Sequence, residues 1–331
     1  MRIIAVISFI AFFVIGCSKE NTSKTQAQNQ SEIVTDNSTV SVPLNDLGAG
    51  MYKGYTGGLY PGGLNHPTGS YAVDLYKICS NIMPLDTFGN PSSKENGRIL
   101  FVSIGWSTCG KNMRVLETKT AENPLTNPKL FLLTLNSGGG LARLNNVANP
   151  NDPYWNYAST LLKDSNASFR QVQIIYLETE DSIKNVNFPA RPLLVKQELE
   201  SCFRVFKQKF PNVKVVYLLA RTSTFGDNQH IFNREPCPYY FGWACKWAIE
   251  DQINGVPGTE YKGPNKVSPL ITWGFYQWAD SLPRKTDNFY WRSYETADGL
   301  HANPVAQDTL ATRFQNFLLT DKAAKKWYTK N

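Results

Sequence analysis

Three side chains in this sequence could together activate an alcohol for attack on a carbonyl. Ser107 lies in Gly105-Trp106-Ser107-Thr108-Cys109, and Asp298 and His301 lie in Asp298-Gly299-Leu300-His301. A serine hydroxyl is a poor nucleophile until a base removes its proton, and histidine is the usual base near neutral pH. The histidine needs a carboxylate to fix its tautomer and stabilise the imidazolium. Three residues of spacing let a single loop turn direct Asp298 and His301 to one side. Backbone N–H groups near glycines can receive the oxyanion that develops. The Ser107 N–H and Gly139, within Ser137-Gly138-Gly139-Gly140, are the candidates. The only other histidines are His66 and His230. Three scattered histidines offer no ligand cluster, which disfavours a metal, and no organic cofactor is implied.

These residues need elements to position them. Four apolar, β-branched-rich runs stand out: Arg98–Ile104, Lys129–Leu135, Gln171–Leu177 and Val213–Ala220. Each is nearly continuous in apolar character, as expected of strands covered on both faces. Helical spacing marks Pro153–Lys163, Pro192–Lys209 and Phe241–Asn254, and a last amphipathic helix runs from Pro304 to Leu319. In Pro192–Lys209 the apolar face is built by Leu193, Leu194, Leu199, Cys202, Phe203 and Phe206. Strand–helix alternation implies parallel strands joined by right-handed crossovers, hence a doubly wound sheet with helices on both faces. The crevice of such a sheet lies beyond the carboxyl ends of its strands. That places the region of interest just after Ile104, Leu135, Leu177 and Ala220. One large α/β domain over 44–331 is expected. Residues 44–94, with Gly57-Gly58-Leu59-Tyr60-Pro61-Gly62-Gly63, read as an irregular lead-in near the cleft.

The motifs carry a resemblance. Gly105-x-Ser107 after the first strand, the Gly-rich second strand end and Asp298-x-x-His301 before the last helix resemble the SGNH (GDSL-like) hydrolase superfamily. Across roughly residues 95–328 the chain looks like an exported bacterial branch of it. The segments concerned are IGWSTC, VKVVYLLARTSTFG, EPCPYYFGWACKWAIEDQI, WGFYQWADS and DGLHANPVAQDTLATRFQNFL. The resemblance implies a flavodoxin-like three-layer α/β/α sandwich. It also implies a Ser107–His301–Asp298 triad, with the Ser107 N–H and Gly139 as oxyanion donors. Two positions depart from the pattern. Trp106 stands where many members carry Asp. Glu180, in Glu178-Thr179-Glu180-Asp181, stands where the superfamily places an oxyanion-binding Asn. An ionised carboxylate cannot donate that hydrogen bond, and losing one such donor typically costs about 10²–10³ in rate. Thr179 or Arg221 would then have to substitute. Arg221 is also a candidate substrate clamp, and Trp106, Trp273 and Trp278 are candidate cleft-wall residues for sugar stacking. The implied activity is deacylation of a carbohydrate ester, such as an O-acetylated glycan. The alternative is a catalytically inactive glycan-binding envelope lipoprotein of the same fold.

The N-terminus indicates where such a protein would work. Met1-Arg2 is followed by the apolar run Ile3–Ile15, then Gly16-Cys17 and polar Ser18-Lys19-Glu20. This is the layout of a secretory signal peptide, too short for the roughly 20 residues a bilayer span needs. The Val14-Ile15-Gly16-Cys17 ending resembles the bacterial lipobox. It implies cleavage after residue 16, lipidation of Cys17 and, with Ser18 next, an outer-membrane envelope lipoprotein. Residues 17–43, rich in Ser, Thr, Asn and Gln, read as a tether that cannot bury enough surface to order itself. The net charge of +7 comes from 34 Lys and Arg against 27 Asp and Glu. These charges are spread along the chain, which argues against a nucleic-acid partner. The expected partners are a small-molecule or glycan ester and, through the lipid, a membrane. Setting Cys17 aside leaves Cys79, Cys109, Cys202, Cys237 and Cys245, an odd number, with Cys237–Cys245 one conceivable bridge.

Overall fold

The computed structural model describes residues 41–136, 140–180, 187–226 and 231–330. The signal peptide, Cys17, nearly all of the tether and Gly139 lie outside the described residues. Five strands, β1 (Ile99–Gly105), β2 (Leu130–Thr134), β3 (Val172–Glu178), β4 (Val215–Leu218) and β5 (Leu270–Trp273), form one sheet in the order 2-1-3-4-5, every pair parallel. This is the flavodoxin-like doubly wound order, with the crevice at the strands' carboxyl ends.

Alternate residues of each strand feed two cores, because successive side chains point to opposite faces. Leu100, Val102 and Ile104 of β1 join Val216 and Leu218 of β4 on one face. There they meet α3 (Tyr154–Asp164), α4 (Ala190–Lys209) and α5 (Cys237–Ile253). Ile99 and Phe101 join Val215 and Tyr217 on the other face. That side is covered by α1 (Gly69–Ser80), α2 (Ser107–Glu122), α6 (Pro304–Thr320) and the short C-terminal helix Lys325–Tyr328. The four strands and four helices read from the sequence sit where expected, within a few residues.

Four differences have physical causes. β5 is only four residues long, below the length at which an apolar run separates from its surroundings. Helix α2 carries a mostly polar sequence; its buried stripe is Cys109, Met113, Leu116 and Thr120, only two of them strongly apolar. The lead-in, expected to be irregular, has regular structure. It contains α1 and a short hairpin, Met51–Tyr52 with Tyr55–Thr56, and it closes the open edge of β5. Tyr60 Oη accepts the Trp273 N–H at 3.3 Å and lies 2.8 Å from Thr272 Oγ1, while Tyr71 donates to the Ile271 carbonyl at 2.6 Å. Covering the exposed N–H and C=O row of an edge strand removes a template for unwanted pairing. Finally, Cys79, Cys109, Cys202, Cys237 and Cys245 are all buried and form no disulfide among the described residues. Cys237 and Cys245 are eight residues apart on one helix, about 12 Å along its axis, beyond the reach of a disulfide.

Candidate active site

Strand β1 delivers Ser107 to the cleft through one tight connection. Trp106 is extended, and α2 begins at Ser107 itself. The strand must end in glycine: a Cβ on Gly105 would lie 1.8 Å from the Glu178 carbonyl oxygen of β3. The first turn of α2 is pinned from the side by Asn136, just beyond β2. Its amide nitrogen donates to the Trp106 carbonyl, and its oxygen accepts from Thr134 Oγ1 at 2.9 Å and Ser103 Oγ at 3.3 Å. Gly110 makes room for this clamp, since a Cβ there would come 2.8 Å from Asn136 Nδ2. Ser107 is exposed. It stands where the first N–H groups of a helix have no intrahelical partner and the helix dipole favours negative charge.

The base arrives from the other end of the chain. Ser107 Oγ lies 2.7 Å from His301 Nε2, and His301 Nδ1 lies 2.6 Å from Asp298 Oδ2. The other carboxylate oxygen of Asp298 accepts the backbone N–H of His301 at 2.7 Å and of Leu300 at 3.0 Å. One oxygen thus shapes the turn while the other orients the ring. Gly299 supplies the positive φ of 79° that the turn requires, and its carbonyl accepts the Phe225 N–H at 2.8 Å, tying the turn to the loop after β4. Just downstream Asn303 caps α6, accepting the Ala306 N–H, with Pro304 at the first helical position. Partial burial by itself would raise the Asp298 carboxyl, but the hydrogen bonds from the His301 backbone, the His301 ring and Leu300 outweigh it and hold it at about 2.

Five other expectations are corrected or refined by the structure. Glu180 does not face an oxyanion position. It is fully buried, with Oε1 2.7 Å from Arg191 Nη2 and Oε2 2.7 Å from Arg221 Nη1. Arg221 is therefore no substrate clamp; it also donates to the Phe232 carbonyl at 3.1 Å and to Asn233 Oδ1 at 2.8 Å. Thr179 is buried and donates to the Ala142 carbonyl at 2.6 Å, so the hydrogen bonds shown for both proposed substitutes run to buried protein groups. Trp273 and Trp278 are each only 3% exposed, with indole N–H groups donating to the Leu59 carbonyl and to Glu235 Oε1. They are core residues with no open face for a sugar. Trp106 is partly exposed beside Ser107, edge-on to Phe232, with the Arg143 guanidinium 5.9 Å from its ring centre.

Two residues at the site, Asn136 and Arg143, are not singled out by the sequence. Asn136 clamps the nucleophile turn; its position directly at a strand end, ahead of the glycines, was the available signal. Arg143 stands beside Trp106 with a buried Nε that has no hydrogen-bond partner among the described residues. No pattern marked it, because its proximity to Trp106 depends on the path of the loop after β2.

The strand order and the Ser107–His301–Asp298 contacts define a flavodoxin-like α/β/α domain with a hydrogen-bonded Ser–His–Asp constellation at the carboxyl edge of its sheet. Neither a scan against protein-family models nor a search of curated proteins finds a match. Solved structures similar to the chain include a protein of Slackia heliotrinireducens provisionally described as an SGNH hydrolase, with 13% identity and a TM-score of 0.38, covering 67% of this chain and 99% of that one. Another is a carbohydrate esterase family 3 protein from Talaromyces cellulolyticus, with 12% identity and a TM-score of 0.32, covering 68% of this chain and 98% of that one. Both likenesses are loose, and the fold and site stand on their own geometry.

Proposed function

We propose that the chain is a serine hydrolase of the cell envelope that deacylates a carbohydrate ester. The observation that carries this reading is the unbroken relay from Ser107 Oγ through His301 to Asp298, at 2.7 and 2.6 Å. In it, His301 Nε2 takes the Ser107 proton as Oγ bonds to the ester carbonyl carbon. The carbonyl oxygen, now negative, is met by the Ser107 N–H at the start of α2, where helix N–H groups have no intrahelical partner. His301 then gives its proton to the departing sugar hydroxyl, leaving an acyl-Ser107 ester. Water, deprotonated by His301, attacks that ester, and the acid leaves as Ser107 recovers its proton. Asp298 remains ionised throughout.

The openness of the site supports a substrate larger than a free short-chain ester. Ser107 is exposed, and the side chains of Asp298 and His301 are 54% and 25% exposed, so an acyl group carried on a polymer can reach Oγ without entering a closed tunnel. The alternative, an inactive glycan-binding lipoprotein, draws on the absent oxyanion Asn. The inward-facing, ion-paired Glu180 removes one objection to activity, since its charge is neutralised away from the cleft. Location completes the proposal: cleavage after residue 16, lipid on Cys17 and a tether to about residue 43 would hold the domain at the outer membrane. Release of acetate from an O-acetylated polysaccharide, lost on Ser107→Ala, is the expected result. A wild-type protein that releases none, while cleaving simple aryl acetates, would overturn the glycan-ester assignment but leave the hydrolase intact.

A further inference from the structure

At the opposite end of the sheet from Ser107, a cavity of about 520 Å³ opens between the C-terminal end of α1, the residues leading into β4 and the loop before β5. Its wall includes four lysines, Lys77, Lys214, Lys262 and Lys266, and its apolar surface comes from residues such as Ile78 and Met83. Among the described residues only one of these ammonium groups lies within ion-pair distance of a carboxylate. Lys262 lies 2.6 Å from Asp74 Oδ2, which also accepts from Tyr261 Oη at 2.7 Å. Among the described residues Lys77, Lys214 and Lys266 form no ion pair.

Part of this arrangement has an ordinary explanation. Lys77 sits in the last turn of α1, where a cation complements the helix dipole. That argument does not extend to Lys214 or Lys266, which come from two separate loops. Burial and then the nearby Lys266 both push the Lys214 ammonium below its usual range, and Lys207 close by is lowered by burial, Lys266 and Lys214. The cluster therefore repels itself, and an anion would relieve that repulsion. A concave site lined by one sign of charge over low-dielectric walls also focuses its field and concentrates counter-ions. The volume lies within the roughly 300–1,000 Å³ typical of small-molecule sites.

We propose that this pocket binds a phosphate monoester of sugar size, its dianionic head among Lys77, Lys214 and Lys266 and its organic body on the apolar wall beside Ile78 and Met83. A dianion matches three unpaired ammonium groups better than a carboxylate does. The apolar wall gives an ester an advantage over the bare ion. The site is independent of Ser107 and stands whether or not the chain hydrolyses esters.

The test is titration of the folded chain with glucose 6-phosphate at low ionic strength, followed by calorimetry, beside glucose and inorganic phosphate. The comparison protein is the double variant Lys214→Met and Lys266→Met, which keeps the apolar stems and is checked for an unchanged melting temperature. Saturable binding of glucose 6-phosphate is expected, tighter than inorganic phosphate, absent for glucose, and weakened at least about tenfold in the double variant, as loss of two nearby charges requires. Ester hydrolysis by the double variant should equal that of the wild type. Absence of saturable binding, equal binding by the variant, or equal binding of bare phosphate would overturn the proposal.

Discussion

Asp298→Asn separates the two tasks of this side chain. In the native turn Oδ1 accepts two backbone N–H groups, at 2.7 and 3.0 Å, and Oδ2 accepts the ring N–H of His301 at 2.6 Å. Asparagine has one carbonyl oxygen. If that oxygen keeps the two backbone bonds, the amide NH₂ faces Nδ1 and donates to it. The ring proton is then forced onto Nε2, so the imidazole cannot accept from Ser107. In an unrelated serine protease the same substitution in the triad lowers kcat about 10⁴-fold, about 5.5 kcal/mol at 1.36 kcal/mol per decade. A comparable fall is expected here. Stability should change by less than about 1 kcal/mol, since the turn keeps its acceptor and the side chain is largely exposed. The assay is hydrolysis of p-nitrophenyl acetate with a parallel thermal melt. A kcat within about tenfold of wild type, with an unchanged melt, would refute the reasoning. The same geometry carries a pH corollary. A carboxyl lowered to about 2 stabilises the turn above its unfolded value of about 4, and that support is lost as pH falls toward 2. Protonation of Asp298 therefore cannot account for any loss of activity seen above about pH 4.

Other substitutions test the scaffold. Glu180→Gln removes the carboxylate between the Arg191 and Arg221 guanidinium groups, both within 2.7 Å. It should cost about 3–5 kcal/mol in urea unfolding, as breaking a buried pair does; a loss below about 1 kcal/mol would show the pair is not a structural tie. Gly105→Ala sets a Cβ against the Glu178 carbonyl at 1.8 Å, a backbone contact that must be relieved by moving β1 or β3. A stability loss of about 3 kcal/mol or more and an impaired Ser107 are expected, and an unchanged melt with full activity would contradict the packing described.

The sequence disclosed those parts of the protein whose signal is local. Long, doubly buried strands such as β1 and β3 announced themselves by continuous apolar runs, and from them the carboxyl-edge rule led to Ser107. Asp298 and His301 were legible because one turn carries both, with Pro304 opening the next helix. Helix α2 was not, because its buried stripe relies on Cys109 and Thr120, residues that do not read as apolar. Glu180 was misjudged for a different reason. Its partners Arg191 and Arg221 are 11 and 41 residues away, so only the folded chain turns an apparently misplaced carboxylate into the centre of an ion-paired knot. Trp273 and Trp278 illustrate the same limit, since an aromatic side chain that can stack on a sugar can equally fill a core, and burial decided the matter.

The central claim, that Ser107 is an activated nucleophile, is tested most directly by labelling with a fluorophosphonate probe. Such a probe modifies a serine only where a base removes its proton. Labelling of the wild-type protein at Ser107, abolished by Ser107→Ala and by His301→Ala, is the predicted result. Wild-type protein that takes no label, or Ser107→Ala protein that labels equally well, would contradict it.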